Sequence, residues 1–326
     1  MNRRDAVFGL LALCSVSGPL NAFAQQRGKV PRIGILSPGI ERPGRPSFGP
    51  FEVALRERGL VPGQNVILEY RFAAGDLSRL PILAAELIAL PVDLLLVSSV
   101  AIPFAIKVAG KIPIVMTFAS DDPVEEGWVA SLAHPGGNVT GITLFASELA
   151  GKRLELLKAS VPALARVAIL THRSGASGQI RAAQAAARSL GLRALVHQVE
   201  RPSEYEGVFA AMRKERAEAI LMLASAALIA EGPRIAALAM KYRLPMISPR
   251  SVAEDGGLMA YGPSTEELWA HAVPPYVERI LKGASPADLP VEQPTKFELV
   301  INMKTAKLLG IKIPQPLLIR ADRVIE

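Results

Sequence analysis

Two short segments carry opposite charge at equivalent places in the chain. Lys111-Ile112-Pro113-Ile114-Val115 runs on to Thr117, Phe118, Asp121 and Asp122, while Arg243-Leu244-Pro245-Met246-Ile247 runs on to Ser248 and Arg250. A carboxylate of the first kind can take a charge-assisted hydrogen bond from a ligand amine, and an arginine can hold a carboxylate with its planar fork. The same residues also have plainer uses. Asp121 and Asp122 stand before Pro123, the arrangement of a helix cap, and an arginine in a loop is commonly just solvated.

Other candidates fall into the same two groups. Ser37 and Pro38, then Ser98 and Ser99, precede Thr117 in the first half, and the two serines can either cap a helix or present its free N–H groups to an anion. In the second half Thr171, His172, Arg173 and Ser225 precede Ser248, and Tyr261 follows. Catalytic signatures do not emerge. There is no Gly-x-Ser-x-Gly elbow, phosphate loop, dinucleotide glycine motif or His-Glu-x-x-His, and His134, His172, His197 and His271 show no metal-ligand spacing. No catalytic residue, metal or cofactor is expected.

These candidates need elements to hold them. Each half contains four short apolar runs: Arg32–Pro38, Val66–Ala73, Leu94–Ser99 and Pro113–Phe118, then Val167–His172, Ala194–Val199, Ala219–Ala224 and Pro245–Pro249. Runs without alternation, separated by amphipathic stretches, predict parallel strands buried on both faces by helices. All the candidates but Tyr261, which lies on a strand crossing back, end or directly follow such runs, where open α/β sheets bind ligands. The expected fold is therefore α/β, with two similar lobes, each a parallel sheet flanked by helices, joined by a multi-strand hinge. Helices are predicted over Ser47–Arg58, Ala146–Ser160, Gly178–Leu190, Ser203–Glu215, Ala227–Tyr242 and Thr265–Leu281, the last broken by Pro274-Pro275. Asp121–Thr143 reads as a helix and then a loop rich in turn formers, and Leu258–Tyr261 as a strand crossing back.

Arg3-Arg4, the apolar Val7–Val16 and Ala22-Phe23-Ala24 together have the form of a cleavable signal segment, 1–24, which predicts an exported, periplasmic product. The route, general secretory or twin-arginine, is open. Cys14 is the only cysteine and lies in that segment, so disulfides and thiolate sites are excluded from the mature chain. The net charge of +7 is spread along the chain, so it points to a solvated basic surface and to no nucleic-acid partner. The expected division is 30–144 with about 262–285 as lobe one, 145–258 as lobe two, and 286–326 as an extended segment, strand and helix near the hinge.

Longer strings carry a resemblance. His134-Pro135-Gly136-Gly137-Asn138-Val139-Thr140-Gly141, Gly256-Gly257-Leu258-Met259-Ala260-Tyr261-Gly262 and Gln293-Pro294-Thr295-Lys296-Phe297-Glu298-Leu299-Val300-Ile301-Asn302 resemble the ABC-transporter substrate-binding family related to the tryptophan-binding lipoproteins. The resemblance covers essentially the whole mature chain. It implies a type I periplasmic-binding-protein fold and delivery of a small ligand to an ABC permease. The expected protein is a monomer that closes by a hinge on a small polar or amphipathic ligand, such as an amino acid or other carboxylate. A sensory module that reports ligand occupancy to a receptor or kinase is the other function this architecture suits. The chain departs from the family's habits at Thr171-His172-Arg173-Ser174 and Ala224-Ser225-Ala226-Ala227, two of the predicted strand ends.

Overall fold

All eight apolar runs are strands. The computed structural model describes residues 29–39, 48–144, 146–173 and 177–326, and Pro31–Glu326 forms one compact unit. The signal segment expected at 1–24 lies outside the described residues. In chain order, β1 (Arg32–Ser37), α1 (Gly49–Glu57), β2 (Ile67–Phe72), α2 (Leu80–Ala89), β3 (Leu94–Val97), α3 (Ile102–Ala109), β4 (Ile114–Ala119) and β5 (Val139–Thr143) build the first sheet and its helices. The second half contributes α4 (Ala146–Ser160), β6 (Arg166–His172), α5 (Ser177–Ser189), β7 (Arg193–Val199), α6 (Tyr205–Lys214), β8 (Ala219–Met222), α7 (Ala226–Ala230), α8 (Gly232–Lys241), β9 (Met246–Ser248) and β10 (Met259–Pro263). Then come α9 (Thr265–Glu267), a π-turn at Leu268–Ala272, α10 (Val273–Leu281), β11 (Phe297–Asn302), α11 (Met303–Leu309), α12 (Gln315–Arg320) and β12 (Arg323–Ile325).

The first sheet is parallel throughout, in the order β2-β1-β3-β4-β5. The second repeats that order as β7-β6-β8-β9-β10 and extends it with β11, the one antiparallel neighbour of β10, and β12. Both faces of each sheet are buried, as the continuous apolar strands require. In the first, α2 and α3 cover one face through Leu83, Leu87, Ile102 and Ala105. The other face meets α1 and the 268–280 segment through Phe51, Leu55, Trp269, Val273 and Val277. In the second sheet, Leu154 and Leu157 of α4 pack with Ala183 and Ala187 of α5, Ala306 of α11 and Leu317 of α12 on one side, and α6 and α8 take the other. Among the described residues no helix is long and apolar enough to cross a membrane.

Three local expectations differ. Asp121–Thr143 holds turns and β5 but no helix: Gly127 and Gly136 adopt positive φ of 69° and 76°, and Pro135 interrupts any helical ladder between them. The single helix expected over Ala227–Tyr242 is two, because Gly232 and Pro233 start a new one. The 265–281 helix runs without a break: it widens to a π-turn at Leu268–Ala272 immediately before Pro274-Pro275, and the wider turn accommodates their missing N–H groups.

The chain passes between the sheets three times, after β5, after β10 and before β11. The third passage is pinned beside β5: Glu292 N–H donates to Gly141 O at 2.9 Å, Thr143 N–H to Glu292 O at 3.0 Å, and Thr140 Oγ1 to Leu289 O at 2.5 Å. Beyond the expected strand and helix, the 286–326 tail supplies α12 and β12, and its strands complete the second sheet.

Candidate functional site

The topology puts Ser37, Ser98 and Thr117 at the carboxyl ends of the adjacent strands β1, β3 and β4, and Thr171, Ser225 and Ser248 at those of β6, β8 and β9. Glu125, after β4, and Arg181, on α5, approach to 3.9 Å, so segments leaving the two sets of strand ends meet.

In the first sheet the hydroxyls are mostly occupied. Ser98 Oγ and Thr117 Oγ1 share a hydrogen bond of 2.8 Å, Thr117 is fully buried, and Ser37 Oγ accepts from Gly39 N–H at 3.2 Å beside the buried Pro38. Phe118 stands edge-on to Trp269 with ring centroids 4.9 Å apart, and Trp269 in turn meets Phe48 at 4.7 Å. Asp122 Oδ1 accepts from Val124 N–H at 2.8 Å and from Glu125 N–H at 3.4 Å, which is the capping arrangement, and Asp121 beside it is half-buried. The side chain of Ser99 lies outside the described part.

In the second sheet a glutamine organises the loop. Gln179, 1% exposed on α5, donates to Ala224 O at 3.2 Å and accepts from Ala224 N–H at 3.0 Å, clamping the backbone just after β8. Next to that clamp the Ser225 hydroxyl is buried without any hydrogen-bond partner, and the short helix it precedes receives no cap from it. Ser248, with no exposure, donates to Pro249 O at 3.0 Å, and Thr171 Oγ1 donates to His172 O at 3.4 Å. His172 turns toward β7, its Nε2 3.2 Å from Glu200 O, and burial holds its imidazole below the usual histidine pKa. Arg173 is exposed and reaches Glu200 at 3.6 Å. Tyr261 on β10 stacks on Phe297 of β11 at 6.0 Å, as one side of the strand pair. The Arg250 side chain, expected as the basic pole, lies outside the described part. Among the described residues no group of three acidic, histidine or cysteine side chains could hold a metal.

The family model described as "ABC transporter substrate binding protein" matches residues 39–325. The chain belongs to that family. Among curated proteins this substrate-binding protein is 26% identical over 276 residues to a tyrosine-binding protein of Clostridioides difficile, spanning 80% of this chain and 76% of that one. Among solved structures it is similar to an ABC domain from Streptococcus pneumonia in complex with L-Trp, at 26% identity and a TM-score of 0.82, over 91% of this chain and all of the other. A conserved domain protein of Vibrio cholerae shares the fold at the same TM-score and coverage with 22% identity.

Two polar residues of this substrate-binding protein escape a reading by strand ends, because both sit on helices. Gln179 clamps the β8 loop, and Arg153 on α4 is 1% exposed and donates to Tyr261 O at 2.8 Å. Each interrupts an otherwise apolar face at helical spacing, among Ala183 and Ala187 in one case and Ala150, Leu154 and Leu157 in the other. That interruption is the signal a sequence offers for them.

Proposed function

We propose that this protein captures a small carboxylate, foremost an amino acid, between the carboxyl ends of its two sheets and delivers it to a membrane permease. The observation that carries this is the matched pair of strand-end sets, three hydroxyl-bearing ends on each sheet in the same strand order, with the buried Ser225 hydroxyl lacking a partner. A buried, unpaired hydroxyl costs free energy that a ligand's polar group recovers on binding. The tyrosine-binding relative and the L-Trp complex support an amino acid as the ligand class. Closure follows from the three passages between sheets, which suit a hinge absorbing rotation while each packed sheet stays rigid. A signal segment at 1–24 and export to the periplasm agree with such a role.

Ligand binding to the folded state raises the melting temperature. Purified protein lacking residues 1–24 should therefore show a saturable thermal shift with one or a few of the twenty L-amino acids or small organic acids, L-tyrosine and L-tryptophan first. Absence of any shift, confirmed by calorimetric titration, overturns the reading.

A further inference from the structure

Helix α4 is the first element after the chain leaves β5, and it packs over β8, β9 and β10. Its buried face consists of Leu149, Ala150, Leu154, Leu156 and Leu157, with Arg153 among them. Only Nε of this guanidinium has a partner named above, the Tyr261 carbonyl, and Nη1 is buried with no hydrogen-bond partner at all. No carboxylate stands within ion-pair distance of it among the described residues. Burial pushes its pKa down to about 10, with the Tyr261 phenol acting the other way, so it remains a cation at neutral pH. A buried cation without a carboxylate partner is among the costliest arrangements a core can hold, and the Nη1 N–H groups remain unsatisfied donors.

The strand register says where this cation lies. β9 ends at Ser248, which pairs with Ala260, so Tyr261 is one residue past the last paired residue of β9. A guanidinium on the Tyr261 carbonyl therefore stands off the carboxyl end of β9, beside the strand ends that carry Ser225 and Ser248. The partnerless Ser225 hydroxyl and the partnerless Nη1 thus belong to neighbouring strand ends of one sheet.

Resting on the capture of a carboxylate proposed above, we infer that Arg153 is the residue that receives the ligand's carboxylate. Its Nε is already held by the strand that leads into the second passage, so the guanidinium plane is fixed before the ligand arrives. Nη1 is left to donate to a carboxylate oxygen as a charge-assisted bond, with the Ser225 hydroxyl as a neighbouring donor. Carboxylate binding at this point also couples directly to the backbone of a hinge strand.

The test compares each of the twenty L-amino acids with its α-amide, which lacks the anionic group, on wild type, Arg153→Met and Arg153→Gln. Wild type should bind the acid at least ~10-fold more tightly than the amide. Both variants should lose acid affinity by ~30-fold or more while amide affinity moves less than ~3-fold. The ligand-free melting temperature of Arg153→Met should equal or exceed that of wild type, because an unpaired buried charge has been removed. Variants that keep the acid preference overturn the assignment. So does a fall in the ligand-free melting temperature that Arg153→Lys restores with acid affinity unchanged, since that marks a purely structural arginine. A wild type that binds acid and amide alike overturns Arg153 and leaves the capture reading standing, whereas one that binds neither these nor any small organic acid overturns both.

Discussion

The two sheets share a strand order and differ in how their ends are spent. In the first, Ser98 and Thr117 satisfy each other and Asp122 caps its own turn, and a cluster of Phe48, Phe51, Phe118 and Trp269 fills the space behind the strands. In the second, the face packed by α4 and α5 is aliphatic and alanine-rich, and Ser225 Oγ and Arg153 Nη1 are left without partners. A repeated scaffold can thus divide its labour, one copy closed on itself as a rigid wall and the other holding unmet hydrogen-bonding capacity that a ligand can meet.

The strongest way to break the contrast is at the rigid wall. Gly141 in β5 has φ of +127°, and a Cβ there would lie 2.2 Å from the Met116 carbonyl oxygen on β4. Gly141→Ala should cost about 4 kcal/mol or more, read as a lower urea midpoint or as loss of soluble protein. Trp269→Ala, which empties the centre of the ring cluster, should cost about 3–5 kcal/mol by the same measurement while sparing ligand affinity. An equal loss of affinity would mean the wall itself touches ligand.

A matched pair of serine changes sharpens the comparison further. Ser98→Ala strips Thr117 of its 2.8 Å partner, leaving a 3.4 Å contact with Val97 O, and should cost about 1–2 kcal/mol of stability. Ser225→Ala removes a hydroxyl that has no partner, so stability should stay within about 0.5 kcal/mol while affinity for the ligand falls about fivefold. Reversed outcomes would exchange the roles given to the two sheets.

The smallest effect is on pH dependence. Burial lowers the folded-state pKa of His172 below its ordinary 6.5, so above that pH both folded and unfolded chains carry it neutral and it adds nothing to the slope. Below pH 6.5 the unfolded chain takes up a proton that the folded chain refuses, and stability falls as pH drops toward the folded-state pKa. His172→Gln should flatten that slope by at most about 1.4 kcal/mol per pH unit, measured as urea midpoints between pH 7 and 5.

The central strands were legible because a strand buried on both faces is apolar at nearly every position, as β3 and β8 are, and their shortness separates them from buried helices. Their ends were legible too: Ser37, Ser98, Thr117, Thr171 and Ser248 lie at the carboxyl ends of β1, β3, β4, β6 and β9. The chemistry at those ends was less so. Asp121-Asp122-Pro123 is written the same way whether it caps a turn or meets a ligand, and only the 2.8 Å bond from Val124 to Asp122 shows what the second aspartate does. Gln179 and Arg153 act on backbone 45 and 108 residues away, so their meaning depends on which strand end each helix lies against. The interruption expected at Pro274-Pro275 is instead absorbed by a π-turn at Leu268–Ala272 just before them, a local widening that lets one helix carry both prolines.

Neither sheet has its core completed by a continuous stretch of chain. The first draws Trp269, Val273 and Val277 into its core and Leu289 against β5, and the second needs β11 and β12, which end at Ile325. A polypeptide emerging from its amino end therefore finishes neither hydrophobic core until the segments at 268–291 and then 297–325 have followed. Contacts so distant in sequence fold slowly, and each sheet stays pliable while it waits for them.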